Sequence, residues 1–299
     1  MVALAPRFAR VPRFGLRRQL VGSLLRTAAN GLTDRDPVQL RETLDRLARW
    51  APAPAGVDQQ VGILGGQKAV WTTPRALRSK ETILHLHGGG YATCSLATHR
   101  GMLADLARAT GRQVVAVEYR KAPEHAFPIP VDDCVRAYRA LHRRHSNLVL
   151  SGDSAGGALA CAVVQRVRGT WTRLPRALVL LSPWADLRCT GRDTGVDYVK
   201  PDALARFASY YLQGADPDHP EASPVNANFE GFPPMLIQAG GAELIRPGIE
   251  RMARRARQAR VPVRFEMWDG MFHAWHGFSA FVPEAKEAFR AIGTYLDES

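Results

Sequence analysis

The segment Gly152-Asp153-Ser154-Ala155-Gly156-Gly157 sets one serine among small residues, directly after a strand-like run, Leu148 to Ser151, and directly before a helical pattern through Ala158 to Val167. A chain that passes from strand to helix in so few residues must reverse sharply, and only small neighbours are tolerated around the central side chain. Such a turn lifts the Ser154 hydroxyl above a sheet edge. The start of the following helix then directs its free N–H groups and positive dipole end at the same spot, which favours a developing oxyanion. A strand, an elbow and a helix in that order call for a sheet of parallel strands.

The rest of the chain agrees with that demand. Apolar strand-like runs occur at Val57 to Leu64, Gln67 to Thr73, Thr82 to His87, Val114 to Val117, Leu148 to Leu150, Ala177 to Leu181, Met235 to Gln238 and Val263 to Met267, and from the third onward helical segments separate most of them. Strands alternating with helices imply right-handed crossovers and a mostly parallel sheet covered on both faces. The expected class is therefore α/β, a mostly parallel central sheet flanked by helices, with a helical cap. Residues 56–299 form its catalytic domain and residues 1–55 an amino-terminal helical cap segment. Ser182 to Phe232, with a helix around Pro201 to Leu212, is the one long departure and reads as a cap insertion at about 183–232. Before the sheet, Asp36-Pro37 supplies an N-cap and a first-turn proline, and Leu40, Leu44, Leu47 and Trp50 recur at helical spacing.

Composition narrows the class further. With 46% hydrophobic and 23% charged residues and a mean hydropathy of -0.19, the chain is neither collagen-like, disordered nor a disulfide miniprotein. Its 40 basic against 28 acidic residues give a net charge of +12. The densest basic cluster, Arg251, Arg254, Arg255, Arg257 and Arg260, falls on one segment whose apolar positions suit a packed outer helix, so a solvated face is expected there and no nucleic-acid partner. Cys94, Cys134, Cys161 and Cys189 show no metal-ligand spacing, and free thiols in the cytoplasm are expected. Residues 1–33 carry six arginines and no acid, a pattern shared by a cap helix and a targeting or membrane-surface helix. The cap is the reading adopted, with Leu20, Leu24 and Leu25 packing on the insertion or on Leu40 and Leu44. Its apolar run is too short for stable membrane insertion.

A second motif, His87-Gly88-Gly89-Gly90-Tyr91, follows the strand at Thr82. A carbonyl that becomes tetrahedral needs N–H donors about 3 Å from its oxygen, and glycines let backbone come that close. Gly88, Gly89 and Ala155 are the expected oxyanion donors. No dinucleotide fingerprint, phosphate loop or metal spacing appears, so neither cofactor nor metal is expected.

Together with Tyr119-Arg120-Lys121-Ala122-Pro123-Glu124-His125 and Ser182-Pro183-Trp184, these motifs resemble the hormone-sensitive-lipase-like branch of the α/β-hydrolases, over about residues 81–278. The resemblance implies a serine carboxylesterase whose catalytic groups follow in the order serine, acid, histidine. Three histidines follow Ser154: His219, in the insertion, His273 and His276. His273, after the last strand, stands where the family places its base, with His276 as runner-up. Glu243 takes the family's acid position, and Pro247 stands where a second Asp often lies, leaving Glu243 as the loop's sole carboxylate. Its role would be to fix the imidazole tautomer and stabilise the imidazolium.

An apolar mouth is expected from Tyr91, Trp184, Phe207, Tyr210, Tyr211 and Phe272, with plain core as the alternative for all six. The expected substrate is a small acyl ester of acetyl type. The first alternative is hydrolysis of an N-acetyl amide by the same machinery. The second, from another class, is a small-molecule receptor without catalysis.

Overall fold

The computed structural model describes residues 21–27, 35–189 and 191–299. Its frame is an eight-stranded sheet: β1 (Val57–Leu64), β2 (Gln67–Pro74), β3 (Thr82–Leu86), β4 (Gln113–Val117), β5 (Leu148–Asp153), β6 (Ala177–Leu181), β7 (Met235–Gly240) and β8 (Val263–Trp268), in the spatial order 1-2-4-3-5-6-7-8. β1, β2 and β4 pair antiparallel, and from β4 through β3, β5, β6, β7 to β8 every pairing is parallel. All eight expected strands form, and the helix expected within the insertion spans Pro201–Leu212.

The helices are α1 (Pro37–Trp50), α2 (Arg100–Thr110), α3 (Ile129–His142), α4 (Ala155–Val167), α5 (Pro201–Leu212), α6 (Arg246–Gln258) and α7 (Pro283–Glu298). The parallel strands β3, β5, β6 and β7 are buried along their whole length, because helices cover both faces. Side chains alternate between the two layers with the strand period of two. Leu84, Leu86, Leu150, Leu178, Leu180 and Ile237 join one apolar cluster with residues of α3, α4 and α6. Ile83, Val149, Ala177, Val179, Leu181 and Leu236 join the other, with α2 and α7.

α1 begins as the sequence indicates: the Asp36 side chain accepts the N–H groups of Val38 and Gln39, at 2.9 and 3.2 Å. Its apolar stripe, however, is covered at one end only. Leu40 is buried, whereas Leu47 and Trp50 are 60% and 86% exposed: near the start of the helix Arg41 bonds the loop carbonyls of Ala92 and Ala122, and the apolar side chains of its far end face solvent. On α6 the apolar positions Ile249, Met252 and Ala256 face the sheet while Arg254, Arg255 and Arg257 are exposed.

Residues 21–27 are helical and pack on the insertion and on the loop after β8. Val21 and Leu25 lie against the cluster of Trp268, Met271, Phe272 and Trp275, and Arg26 bonds both carboxylate oxygens of Asp193, at 2.8 and 2.6 Å. Leu24, by contrast, points outward, and Leu20 falls outside the described residues.

Burial separates two leucines of equal chemistry. Leu180, wholly enclosed on β6, should lose about 2–5 kcal/mol on truncation to alanine, whereas Leu47→Ala should shift stability by about 0.5 kcal/mol or less. Urea denaturation of the two variants checks this, and equal losses would contradict the layer assignment.

Candidate active site

The carboxyl ends of β3, β5, β6, β7 and β8, five consecutive parallel neighbours, lie side by side along one edge, the position where sheets of this kind present their functional groups. At the end of β5, Ser154 adopts φ 51° and ψ -121°. This left-handed backbone is held by its own hydrogen bonds: Ser154 N–H donates to the Leu181 carbonyl at 2.9 Å, and its carbonyl accepts from Trp184 N–H at 2.8 Å. The need for small neighbours is steric. A Cβ placed on Gly156 would lie 1.9 Å from the carbonyl oxygen of Leu86, so the helix can approach β3 only with glycine there.

The three groups expected to act together meet here. Ser154 Oγ lies 2.8 Å from His273 Nε2, and His273 Nδ1 lies 3.2 Å from Glu243 Oε2. The second oxygen of Glu243 is held by Gly240 N–H and by the hydroxyl of Ser182, which in turn accepts the Ala274 N–H at 3.1 Å. Ser182, just past the end of β6, therefore ties Glu243 to the turn that carries His273. All of these side chains are buried. Burial alone would lower the His273 imidazole, but the bond to Glu243 and its charge, with Asp197 and Asp153 further off, outweigh it and hold the imidazole above its ordinary value.

His276, the runner-up, lies elsewhere. It is fully enclosed, its Nε2 is 2.9 Å from Gln238 Oε1, and burial pulls it down to about 3. His219 is half-buried in the insertion against Phe127.

The structure corrects one of the expected oxyanion donors. The Gly88 N–H is committed to Asp153 Oδ1 at 2.9 Å, because Asp153 turns inward beneath the glycine loop. The Gly89 and Gly90 amides bond to no described residue, and the Ala155 N–H, first in α4, has no intrahelical acceptor. Gly89 sits at φ 110°, where a side chain would strike the Thr93 carbonyl. Asp153 also draws in two histidines: His85 Nε2 at 3.1 Å and His99 Nε2 at 3.3 Å. Burial by itself would raise the Asp153 carboxyl, but these partners hold it well below the usual carboxylate range.

Most of the expected mouth is core. Tyr91 and Tyr211 stack face to face with ring centres 3.6 Å apart, Trp184 lies 5.7 Å from Tyr91, and all three are enclosed. Phe272 is enclosed among Trp268, Met271 and Trp275. Large aromatic surfaces gain more from mutual packing than from lining an open channel. Phe207 and Tyr210 on α5 stay partly exposed, and the Phe207 ring stands against Gly90. Two neighbours carry no sequence signal. Tyr198 sets its ring 6.2 Å from that of His273, and Asp197 accepts the His273 backbone N–H at 3.0 Å. Both belong to an irregular stretch of the insertion without periodicity. No group of residues able to hold a metal ion occurs among the described residues.

A family model described as alpha/beta hydrolase fold matches residues 83–277. The chain is 40% identical over 241 residues to an acetyl-hydrolase of Streptomyces hygroscopicus, covering 78% of this chain and 80% of that protein. It is 32% identical over 299 residues to an esterase of Acinetobacter venetianus, covering 97% of each. It superimposes with a TM-score of 0.88, at 34% identity, on the crystal structure of an esterase from the bacterial hormone-sensitive lipase family, over 94% of this chain and 97% of that one.

The raised imidazole has a measurable sign. His273 can accept the Ser154 proton only while neutral, so labelling of Ser154 by an organophosphonate ester should slow on acidification, with a midpoint above 6.5, the ordinary imidazole value. A midpoint at or below that value would show that Glu243 does not act on the base.

Proposed function

The chain belongs to the hormone-sensitive-lipase-like family of α/β-hydrolases and is a carboxylic ester hydrolase, and from that premise we propose that it cleaves short acyl esters through an acyl-enzyme on Ser154. The observation that carries this reading is the continuous relay from Ser154 Oγ through His273 to Glu243, at 2.8 and 3.2 Å. In the first step Ser154 attacks the ester carbonyl as His273 Nε2 takes its proton. Glu243 keeps the Nδ1 proton in place and stabilises the imidazolium. The proton then passes to the departing alcohol oxygen, leaving the acyl group on Ser154. Water adds to that acyl group with His273 again as base, and collapse returns the carboxylic acid and free Ser154. The amides of Gly89, Gly90 and Ala155 are the donors we assign to the oxyanion, Gly88 being engaged elsewhere.

The preference for short acyl groups is supported by how the aromatic residues are used. Tyr91, Tyr211 and Trp184 fill the space behind the glycine loop instead of lining a channel, and Phe207 stands over Gly90. The cap is assigned to the insertion together with the amino-terminal segment, supported by the packing of Val21, Leu25 and Arg26 on the insertion and the His273 loop. A cap of this kind excludes water during acyl transfer.

Ser154→Ala should lower ester turnover by about a million-fold with the fold unchanged. Turnover and circular dichroism on purified variant check this, and substantial residual activity would remove Ser154 from the chemistry. Among esters of graded length, acetyl to hexanoyl should be cleaved faster than long-chain ones. Each methylene that fits adds about 0.8 kcal/mol of binding, and the first that does not fit reverses the trend. A rate that climbs steadily to emulsified long-chain triglycerides would overturn the short-acyl reading.

A further inference from the structure

Asp197 stands in the insertion ahead of α5 and is wholly buried. Its two oxygens serve two different turns. Oδ1 accepts the backbone N–H of His273 at 3.0 Å, and Oδ2 accepts the backbone N–H of Leu244 at 2.8 Å. Leu244 directly follows Glu243, so one carboxylate from the cap spans the turn that carries the acid and the turn that carries the base. Asp197 is itself gripped from outside, its backbone carbonyl accepting from the Arg26 guanidinium at 2.8 Å.

Burying a carboxylate is costly unless its hydrogen bonds and charge are answered. Two N–H groups alone could be satisfied by neutral carbonyls. A negative charge at this place adds something that a carbonyl does not, because His273 becomes a cation when it takes the Ser154 proton. A charge in a water-poor site acts strongly on such a cation.

We propose that Asp197 is a positioning residue for ester cleavage, holding the Glu243 and His273 turns in one mutual arrangement and favouring the protonated imidazole that forms during the reaction. This rests on the roles assigned above to Ser154, His273 and Glu243. The Glu243–His273 contact, at 3.2 Å, is the longer link of the relay. It depends on two separate loops, which the backbone joins through the Ala242 N–H on the Met271 carbonyl at 3.0 Å and which the side chains of Asp197 and Ser182 tie next to the reacting pair itself.

The charged and titratable groups around the base come from several elements. Glu243 faces His273 from the turn after β7, Asp197 and Tyr198 from the insertion, Asp153 from the elbow and His276 from its own loop, while Arg26 faces Asp197 from the amino-terminal helix. Glu243, Asp197 and Asp153 all favour the imidazolium. Removing the Asp197 charge therefore lets His273 stay neutral to lower pH.

The test is Asp197→Asn in the full chain, which keeps the shape but removes the charge and one of the two acceptors. Active sites are counted with an organophosphonate ester, and turnover of an acetyl ester is expressed per counted site. The expected result is a fall in kcat of about ten- to a hundredfold, a KM nearly unchanged, and an acidic limb of kcat/KM displaced to lower pH. Asp197→Ser, also neutral, supplies the same two readings if the Asn variant does not fold. Unchanged kcat per counted site with an unmoved acidic limb overturns the proposal, even if fewer sites are counted, because that pattern belongs to a residue that only supports folding. A parent chain that neither cleaves esters nor takes up the label overturns the reading of the site itself. An active parent with an unaltered variant overturns the role of Asp197 alone.

Discussion

Ser154 occupies a backbone conformation that a residue with a side chain enters only at a cost of about 1–3 kcal/mol, and the surrounding structure is arranged so that it has no alternative. Its N–H is taken by Leu181 at the end of β6 and its carbonyl by Trp184 beyond that strand, so the elbow is secured to the neighbouring strand on both sides. On the opposite side the helix presses against β3 through Gly156, with no room for a side chain. The position of the hydroxyl is thus decided by sheet pairing, which is rigid, and the histidine is brought to it.

Beneath the glycine loop lies a second constraint, the buried carboxylate of Asp153. It receives the Gly88 amide, His85 and His99 together. A fully answered buried charge of this kind stiffens what it touches, and here it touches both the elbow and the loop that faces it. That arrangement explains why the Gly88 amide is engaged while those of Gly89 and Gly90 bond to no described residue. The same economy recurs at Ser182, whose one hydroxyl donates to Glu243 and accepts from Ala274. Side chains outside the Ser154–His273–Glu243 relay thereby determine where its atoms stand.

Much of this was legible from the order of residues. The strands from β1 to β8 follow from short apolar runs, and their parallel arrangement follows from the helices between them, since both signals are local in the chain. Ser154 was legible because its elbow leaves a pattern of small residues, and His273 and Glu243 because each follows a strand in the chain order that the resemblance implies. The mouth was less legible. Tyr91, Trp184 and Tyr211 have the composition of a binding pocket, and the same composition serves a core; the difference lies in which neighbours close over them. Leu47 and Trp50 show the converse, since apolar residues at helical spacing indicate a helix but not how far along it a partner extends.

By itself, then, the sequence determined the α/β layering, the elbow at Ser154 and the presence of Glu243 and His273 after later strands. These depend on periodicity, on residue size and on chain order, all of which are written along the chain. Tertiary structure alone decided which glycine amides bond to no described residue, which aromatics are enclosed, and that Asp197 in the insertion joins the turns of Glu243 and His273. Those outcomes depend on contacts between residues far apart in sequence, where a shift of an ångström makes or breaks a hydrogen bond. No local pattern encodes such a distance. It is settled only when the sheet, its helices and the insertion pack against one another.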